Sequence, residues 1–369
     1  MKLLQIERDA LLRPLQAVTG IVEKRHTLPI LSNVLIERKN DRLQLVATDL
    51  EIQITTSCEA SANATDEHRL TVSARKLQDI LRSLPDGAEA TLDAQTNKLQ
   101  VKSGKSRFNL QTMPADDFPK MADPGAPQTR VSVPQKLFKD ILSLVQFAMA
   151  QQDIRYYLNG MLLVLDGRRI KVVATDGHRL SFAEGELETE QEKREVILPR
   201  KAIMELSRQL GAEDAVIDIE IFAAQVKFRY GSSELVTKII DGKFPDYTRV
   251  VPTNYVKNII IDRILLLSSL QRAAILSNEK FRGVRWVLAG NSLRISCTNN
   301  EQEEAQEEIE IDYAGDALDI GFNITYILDV LNNVQNEKVV CSFGDANSSM
   351  LVTLPGNDNF RYVVMPMRI

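Results

Sequence analysis

Two turns place carboxylates where chemistry could be done. Ala47-Thr48-Asp49 and Ala174-Thr175-Asp176 each end an apolar run, and the second continues into Gly177 and His178. An aspartate beside a histidine could orient and deprotonate water, the chemistry of a phosphodiester hydrolase. The recurrence of the same aspartate instead fits a side chain that closes a tight turn on its own backbone, with His178 a part-buried turn histidine. Other chemistry fails on spacing. Gly104-Lys105-Ser106 would need a glycine five residues earlier to cradle phosphates, and that residue is Leu99. There is no G-x-G-x-x-G, and His26, His68 and His178 lack metal-binding spacing. Cys58, Cys297 and Cys341 are too few and too scattered for a zinc site or a disulfide framework, which points to a reducing cytoplasm. No catalytic residue, metal or cofactor is expected.

The remaining chemistry-bearing pattern is cationic. Arg75 and Arg82 lie seven residues apart, on one face of a segment whose other face carries Leu77, Ile80, Leu81 and Leu84; Lys201 and Arg208 repeat this opposite Ile203, Leu206 and Leu210. One such pair is ordinary solubilising charge. Recurrence at equivalent positions suggests a shared surface for a polyanion. Arg13, Lys24-Arg25, and Gln152 with Arg155-Tyr156-Tyr157 add to it, whereas Asn323 and Tyr326 stand at the third equivalent place.

The elements that position these residues occur three times. Leu43–Glu51, Ile170–His178 and Leu293–Glu301 each read as a strand ending in a polar turn, with starts 127 and 123 residues apart. Each is preceded by another strand (28–38, 156–167, 281–290), with hairpin turns at Asn40-Asp41, Asp166-Gly167 and Gly290-Asn291. Amphipathic helices are expected before them at 9–22, 134–150 and 262–277, and after them at 72–84, 198–210 and 322–334. Closing hairpins follow at 99–112, 226–239 and 339–354. The 369 residues thus divide into modules 1–126, 127–253 and 254–369, with linker composition at Asp123–Gln128 and near Pro252–Asn254. The expected fold class is α+β, each module two helices on antiparallel sheet. The chain reaches charge too early for a signal peptide and has no apolar run long enough to span a bilayer.

The net charge of −5 disfavours a polyanionic partner only when read for the whole chain. The first two modules are neutral, and the third holds all the excess acid, mostly in Glu301–Asp312. Lys98, Lys102, Lys105 and Arg107 sit on the first module's last hairpin. An acidic end and a basic edge on one chain can join head to tail and close into a ring.

Over its whole length the sequence resembles the DNA polymerase III β-subunit family, the bacterial sliding clamps. The resemblance lies in TLPIL (27–31), DIRYYLNGML (153–162), ATDGHRL (174–180), DGKFPDY (241–247), AAILSNEKFRGVR (273–285) and YVVMPMRI (362–369). It implies a head-to-tail homodimer, a ring of six modules whose helices line a hole for double-stranded DNA, bound without sequence specificity. It also implies tethering of DNA polymerases, the clamp loader and repair proteins through short linear motifs, with no membrane partner. The alternatives are a three-domain scaffold that does not bind DNA, and a hydrolase using Asp176 and His178.

Site residues follow from the resemblance. The partner-peptide pocket maps to Arg155, Leu158, Thr175, Gly177, His178, Leu180, Pro245, Arg249, Val250, Asn323, Ser349, Val363, Met365, Pro366, Met367 and Arg368. DNA contacts map to Arg25, Arg75, Lys76, Gln152, Tyr156, Tyr157, Arg200 and Lys201. At the dimer seam, Phe108 and Leu110 should pack on Ile275 and Leu276, while Lys76, Lys98, Lys105 and Arg107 face Glu301, Glu303, Glu304 and Glu307. Lysines at 98 and 105, where related clamps often have arginine, and Gln306 within the acidic run would weaken that pairing.

Overall fold

The computed structural model describes residues 2–23, 28–39, 41–59, 68–211 and 215–369. One order of elements recurs. The first repeat runs β1 (Lys2–Glu7), α1 (Arg8–Thr19), β2 (Asn33–Lys39), β3 (Arg42–Thr48), β4 (Ile52–Glu59), β5 (His68–Ser73), α2 (Ala74–Ser83), β6 (Glu89–Gln95), β7 (Lys98–Ser103) and β8 (Ser106–Met113). The second runs β9 (Thr129–Pro134), α3 (Gln135–Val145), β10 (Gly160–Thr175), β11 (Arg179–Pro199), α4 (Arg200–Gln209), β12 (Val216–Ile221), β13 (Gln225–Tyr230) and β14 (Ser233–Lys238). The third runs β15 (Lys257–Asp262), α5 (Arg263–Ala274), β16 (Gly283–Ala289), β17 (Ser292–Thr298), β18 (Glu304–Glu310), β19 (Leu318–Asn323), α6 (Ile324–Asn333), β20 (Lys338–Phe343), β21 (Met350–Leu354) and β22 (Asn357–Val364).

By compactness the chain divides differently from its repeat. One unit is Met1–Lys136 with Met204–Ile239, and the other is Leu137–Ile203 with Ile240–Ile369. The sheets explain why the central repeat is shared. In the first unit β14 pairs antiparallel with β4, Leu235 opposite Ile54, so β12–β14 and β9 extend the first repeat's sheet. In the second unit β22 pairs with β11, Tyr362 opposite Ser181. Hydrogen-bonded strands therefore cross each boundary between repeats.

The cores follow from alternation. β4 buries Ile52, Ile54 and Thr56, and α1 and α2 lay Leu11, Leu15, Leu77 and Leu81 over this sheet. In the second unit α5 and α6 do the same with Leu266, Leu270, Ile327 and Val330. Trp286, the sole tryptophan, is fully buried there, edge-on to Phe322 at 5.8 Å. Cys297 and Cys341 are buried too, and burial pushes their thiols up to about 11 and about 12.

Three expectations are corrected. The stretch 28–38 is not strand throughout: Pro29–Ser32 forms a 3-10 turn in which Leu31 N donates to Leu28 O (3.1 Å). That turn delivers Ile30 and Leu31 into a cluster with Leu35, Val46 and Phe118. Tyr156–Leu158 is likewise a 3-10 turn. The helix expected over 134–150 stops at Val145 and tightens into a 3-10 turn over Gln146–Ala148. Tertiary donors take its last carbonyls: Ser181 Oγ donates to Leu144 O (2.6 Å) and Arg179 Nη2 to Phe147 O (2.8 Å). At Asp166-Gly167 the register of β10 on β11 breaks, with Gly167 at φ +57°.

Candidate functional site

The turn after β10 is built by its own side chains. Asp176 Oδ1 accepts from His178 N (2.9 Å) and Arg179 N (3.1 Å), while Gly177 N donates to Thr175 Oγ1 (3.1 Å). Asp49 Oδ1 does the same for Glu51 N (3.0 Å) and Ile52 N (2.8 Å). The repeated aspartates are thus turn formers. His178, expected to be part-buried, is exposed. Gly177 has φ +90°, and a Cβ there would meet the Arg155 guanidinium at 3.0 Å, so both backbone and space call for glycine.

Beside this turn lies an apolar groove of about 470 Å³, lined by Arg155, Tyr157, Leu158, Thr175, Gly177, Arg179, Leu180, Pro245, Tyr247, Val250, Ser349, Val363 and Met365. Its floor is rigid because Leu180 and Val363 belong to a buried cluster with Leu162, Val164, Val173, Phe182, Ile197 and Phe244. Its rim is adaptable: Met365 and Val250 are half exposed. The volume and the few polar groups suit a short peptide or peptide-like ligand. A larger cavity of about 990 Å³ over β16 and β19 has a more polar lining, including Arg285, Asp319 and Glu304.

Rim arginines are held in place. Arg155 donates from Nε and Nη2 to the Asp153 carboxylate (3.0 and 2.9 Å) and from Nη2 to Asp176 O (3.2 Å). These bonds pull the Asp153 carboxyl down to about 2. Because that folded-state value is depressed, the ordering it gives the loop is complete above the normal aspartate range and fades only as pH falls toward 2. Arg249 is turned to Asp246 (2.9 Å).

Ten of the sixteen expected pocket residues line this groove. His178, Arg249, Asn323, Pro366, Met367 and Arg368 do not. Asn323 caps α6, its side chain accepting from Thr325 N (2.9 Å), and Met367 and Arg368 line the larger cavity. Sequence reasoning missed Arg179 and Tyr247, and gave Tyr157 to DNA although it lines the groove. Arg179 is the central omission. Its Nε donates to Asp176 (3.1 Å), Nη1 to Asp329 and Nη2 to Phe147 O, and its guanidinium lies 4.5 Å from the Tyr326 ring centroid. Burial opposes its charge, yet Tyr362 and Asp329 raise its pKa above the ordinary value. Only its place within ATDGHRL was visible beforehand.

The expected DNA contacts fall into two kinds. Arg75 Nη2 donates to Val22 O (2.8 Å) and Arg200 Nη1 to Met149 O (3.2 Å), so each braces the chain that follows its repeat's first helix. Burial, then Arg179, lowers the pKa of Arg200. Lys76, Gln152 and Tyr156 are exposed, Lys201 is half-buried, and Gln152 sits at φ +54°. Arg25 lies outside the described residues. These cations stand in the first turns of α2 and α4, where the helix dipole disfavours them. Arg75→Ala should cost about 1 kcal/mol in urea unfolding, the worth of one such hydrogen bond. Lys76→Ala should cost nothing measurable; equal losses would remove the bracing role.

The seam residues are also sorted. Ile275 is 78% exposed at the end of α5, and Leu276 and Phe108 are half-buried. Leu110 is already buried in its own sheet opposite Leu99. Lys98, Lys105, Arg107, Glu301, Glu303 and Glu304 are exposed. Glu307 already has a partner within the chain: Arg272 Nε and Nη2 donate to it (2.8 and 2.6 Å), holding its carboxyl below the usual range. Glu303 accepts from Asn299 Nδ2 (2.6 Å).

Comparison with known proteins agrees with this assembly of elements. The chain matches the N-terminal, central and C-terminal domains of the DNA polymerase III beta subunit over residues 1–122, 132–246 and 248–368. It is 45% identical over 365 residues to the beta sliding clamp of Pseudomonas putida, covering 99% of each chain. A crystal structure of the DNA polymerase III subunit beta from Pseudomonas aeruginosa superposes with a TM-score of 0.95 at 44% identity, covering 100% of both chains. Another crystal structure of that organism's sliding clamp, bound to griselimycin, gives a TM-score of 0.95 at 44% identity over 99% of both chains. The chain belongs to the DNA polymerase III beta subunit family, the DNA sliding clamps.

Proposed function

We propose that two copies of this chain close head to tail into a ring of six modules, 1–126, 127–253 and 254–369 in each, around duplex DNA in the cytoplasm. One observation carries the reading. The fourth strand type of one repeat pairs with the last strand of the next, β4 with β14 and β11 with β22. The same rule leaves β18 in search of a β8. Among the described residues β18 ends its sheet, and β8 pairs with β5 only at Thr112 and Met113, leaving Ser106–Gln111 with β7 alone. An edge strand so exposed needs a cover, and a second copy supplies it. Glu301 and Glu304 beside β18 then meet Lys98, Lys105 and Arg107 beside β8.

Topology does the holding, so weak phosphate contacts from Lys76, Lys201, Gln152 and Tyr156 suffice and permit sliding, because phosphates carry no sequence information. Arg75 and Arg200 keep the lining helices placed. The groove tethers polymerases, the clamp loader and repair proteins by short peptide segments.

The protein, loaded on a nicked circular duplex, should stay bound through gel filtration and be lost when the circle is cut once. Loss at the same rate from circle and line would defeat the ring.

A further inference from the structure

We propose that Gly321 is a positioning residue for the groove, anchoring the C-terminal tail that carries Met365 into it. The inference rests on the groove reading above. Beyond β22 the chain leaves its sheet, and two main-chain hydrogen bonds hold it. Met365 N donates to His178 O (2.9 Å), and Met367 N donates to Gly321 O (2.8 Å). Pro366, between them, has no N–H to give. Three residues are thereby fixed between the turn that shapes the groove and strand β19.

The second anchor requires glycine. A Cβ at 321 would lie 2.5 Å from Met367 O and 2.6 Å from Ile369 Cδ1, and the first is backbone that cannot swing aside. Gly283, on neighbouring β16, is 3.6 Å from Ile369 by the same measure. A glycine within a strand gives up packing and conformational entropy, and close approach of another backbone is its usual reason. Here the approaching backbone is the tail, and Ile369 lies over the two glycines. The tail also forms one wall of the 990 Å³ cavity through Met367, Arg368 and Ile369. Met365, which lines the groove, is 46% exposed and has no neighbouring sheet strand beyond it to fix it. Losing the anchor leaves the segment after β22 unfixed, and each ligand must then supply its ordering.

The test uses the full-length protein, griselimycin as the probe, and isothermal titration calorimetry. Val250→Asp places a charge in the groove and should abolish binding; unchanged binding there would sink the groove reading itself. With that control in hand, Gly321→Ala should weaken griselimycin at least tenfold and Ile369→Ala about threefold. Retention on circular DNA, the urea midpoint and Trp286 emission should not move. Trp286 faces Ile320 across β16 and β19, so its emission reports whether the strand itself is intact. If Gly321→Ala disturbs that emission, Ile369→Ala, on the exposed tail, decides alone: a threefold loss supports the anchor and unaltered affinity overturns it. Unaltered affinity in both variants, with Val250→Asp inactive, overturns the inference while leaving the groove in place.

Discussion

Ile275→Arg should convert the protein from a species near twice 41.5 kDa to one of 41.5 kDa, and abolish its retention on circular DNA. Ile275 exposes 78% of its surface in one chain, at the end of α5, with half-buried Leu276 beside it. Ile264 and Leu265 at the start of α5 are exposed as well, and an isoleucine left in water at the end of this helix fits the proposed seam with the Phe108 region of β8. A guanidinium in its place would be buried without a carboxylate, at a cost of several kcal/mol. A closed ring has two such seams, so the penalty counts twice. Exposure in the single chain means that the variant should still fold, and an unchanged urea midpoint for Trp286 emission would show it. The measurement is light scattering across dilution. A mass that stays near the dimer value would mean that α5 is not at the seam.

Arg179→Ala should be the most damaging single change near the groove, costing about 3 kcal/mol in urea unfolding and eliminating griselimycin binding. The side chain is nine-tenths buried and satisfies Asp176, Asp329 and Phe147 O while stacking on Tyr326. Removing one partner of a buried ionic cluster strands the others. Arg179→Lys should not restore stability, since an ammonium cannot make the planar fork or lie flat on the ring. Full stability in the lysine variant would show that only the charge matters.

Much of the fold was legible because its repeat is local and periodic. Helices at 72–84 and 322–334 were expected within two residues of α2 and α6, since amphipathic spacing is short-range. Errors gathered where long-range donors act. The end of α3 depends on Ser181 and Arg179, far away in sequence. The groove was legible in part through the motifs that carry the family resemblance. Leu180 and Val363 were named through the family resemblance, whereas Tyr247 and Arg179 reach the groove through packing that no spacing encodes. Arg75 and Arg200 show the converse. The resemblance names both as DNA contacts, yet each holds a backbone carbonyl of its own chain, so a residue at equivalent places in two repeats can be recurring structure.

The sequence by itself determined the threefold order of elements, the family, the acidic third module and the absence of a spaced catalytic or metal-binding motif. Each of these is written in residue type and separation along the chain. Only the tertiary structure decided that Glu307 belongs to Arg272, that Asn323 caps a helix, that Met367 and Arg368 leave the groove, and that the central repeat gives one sheet to each neighbour. Those outcomes turn on which partner a side chain or strand edge meets first. Charge and hydrogen-bonding capacity are fixed by the residue, but the partner is fixed by the fold.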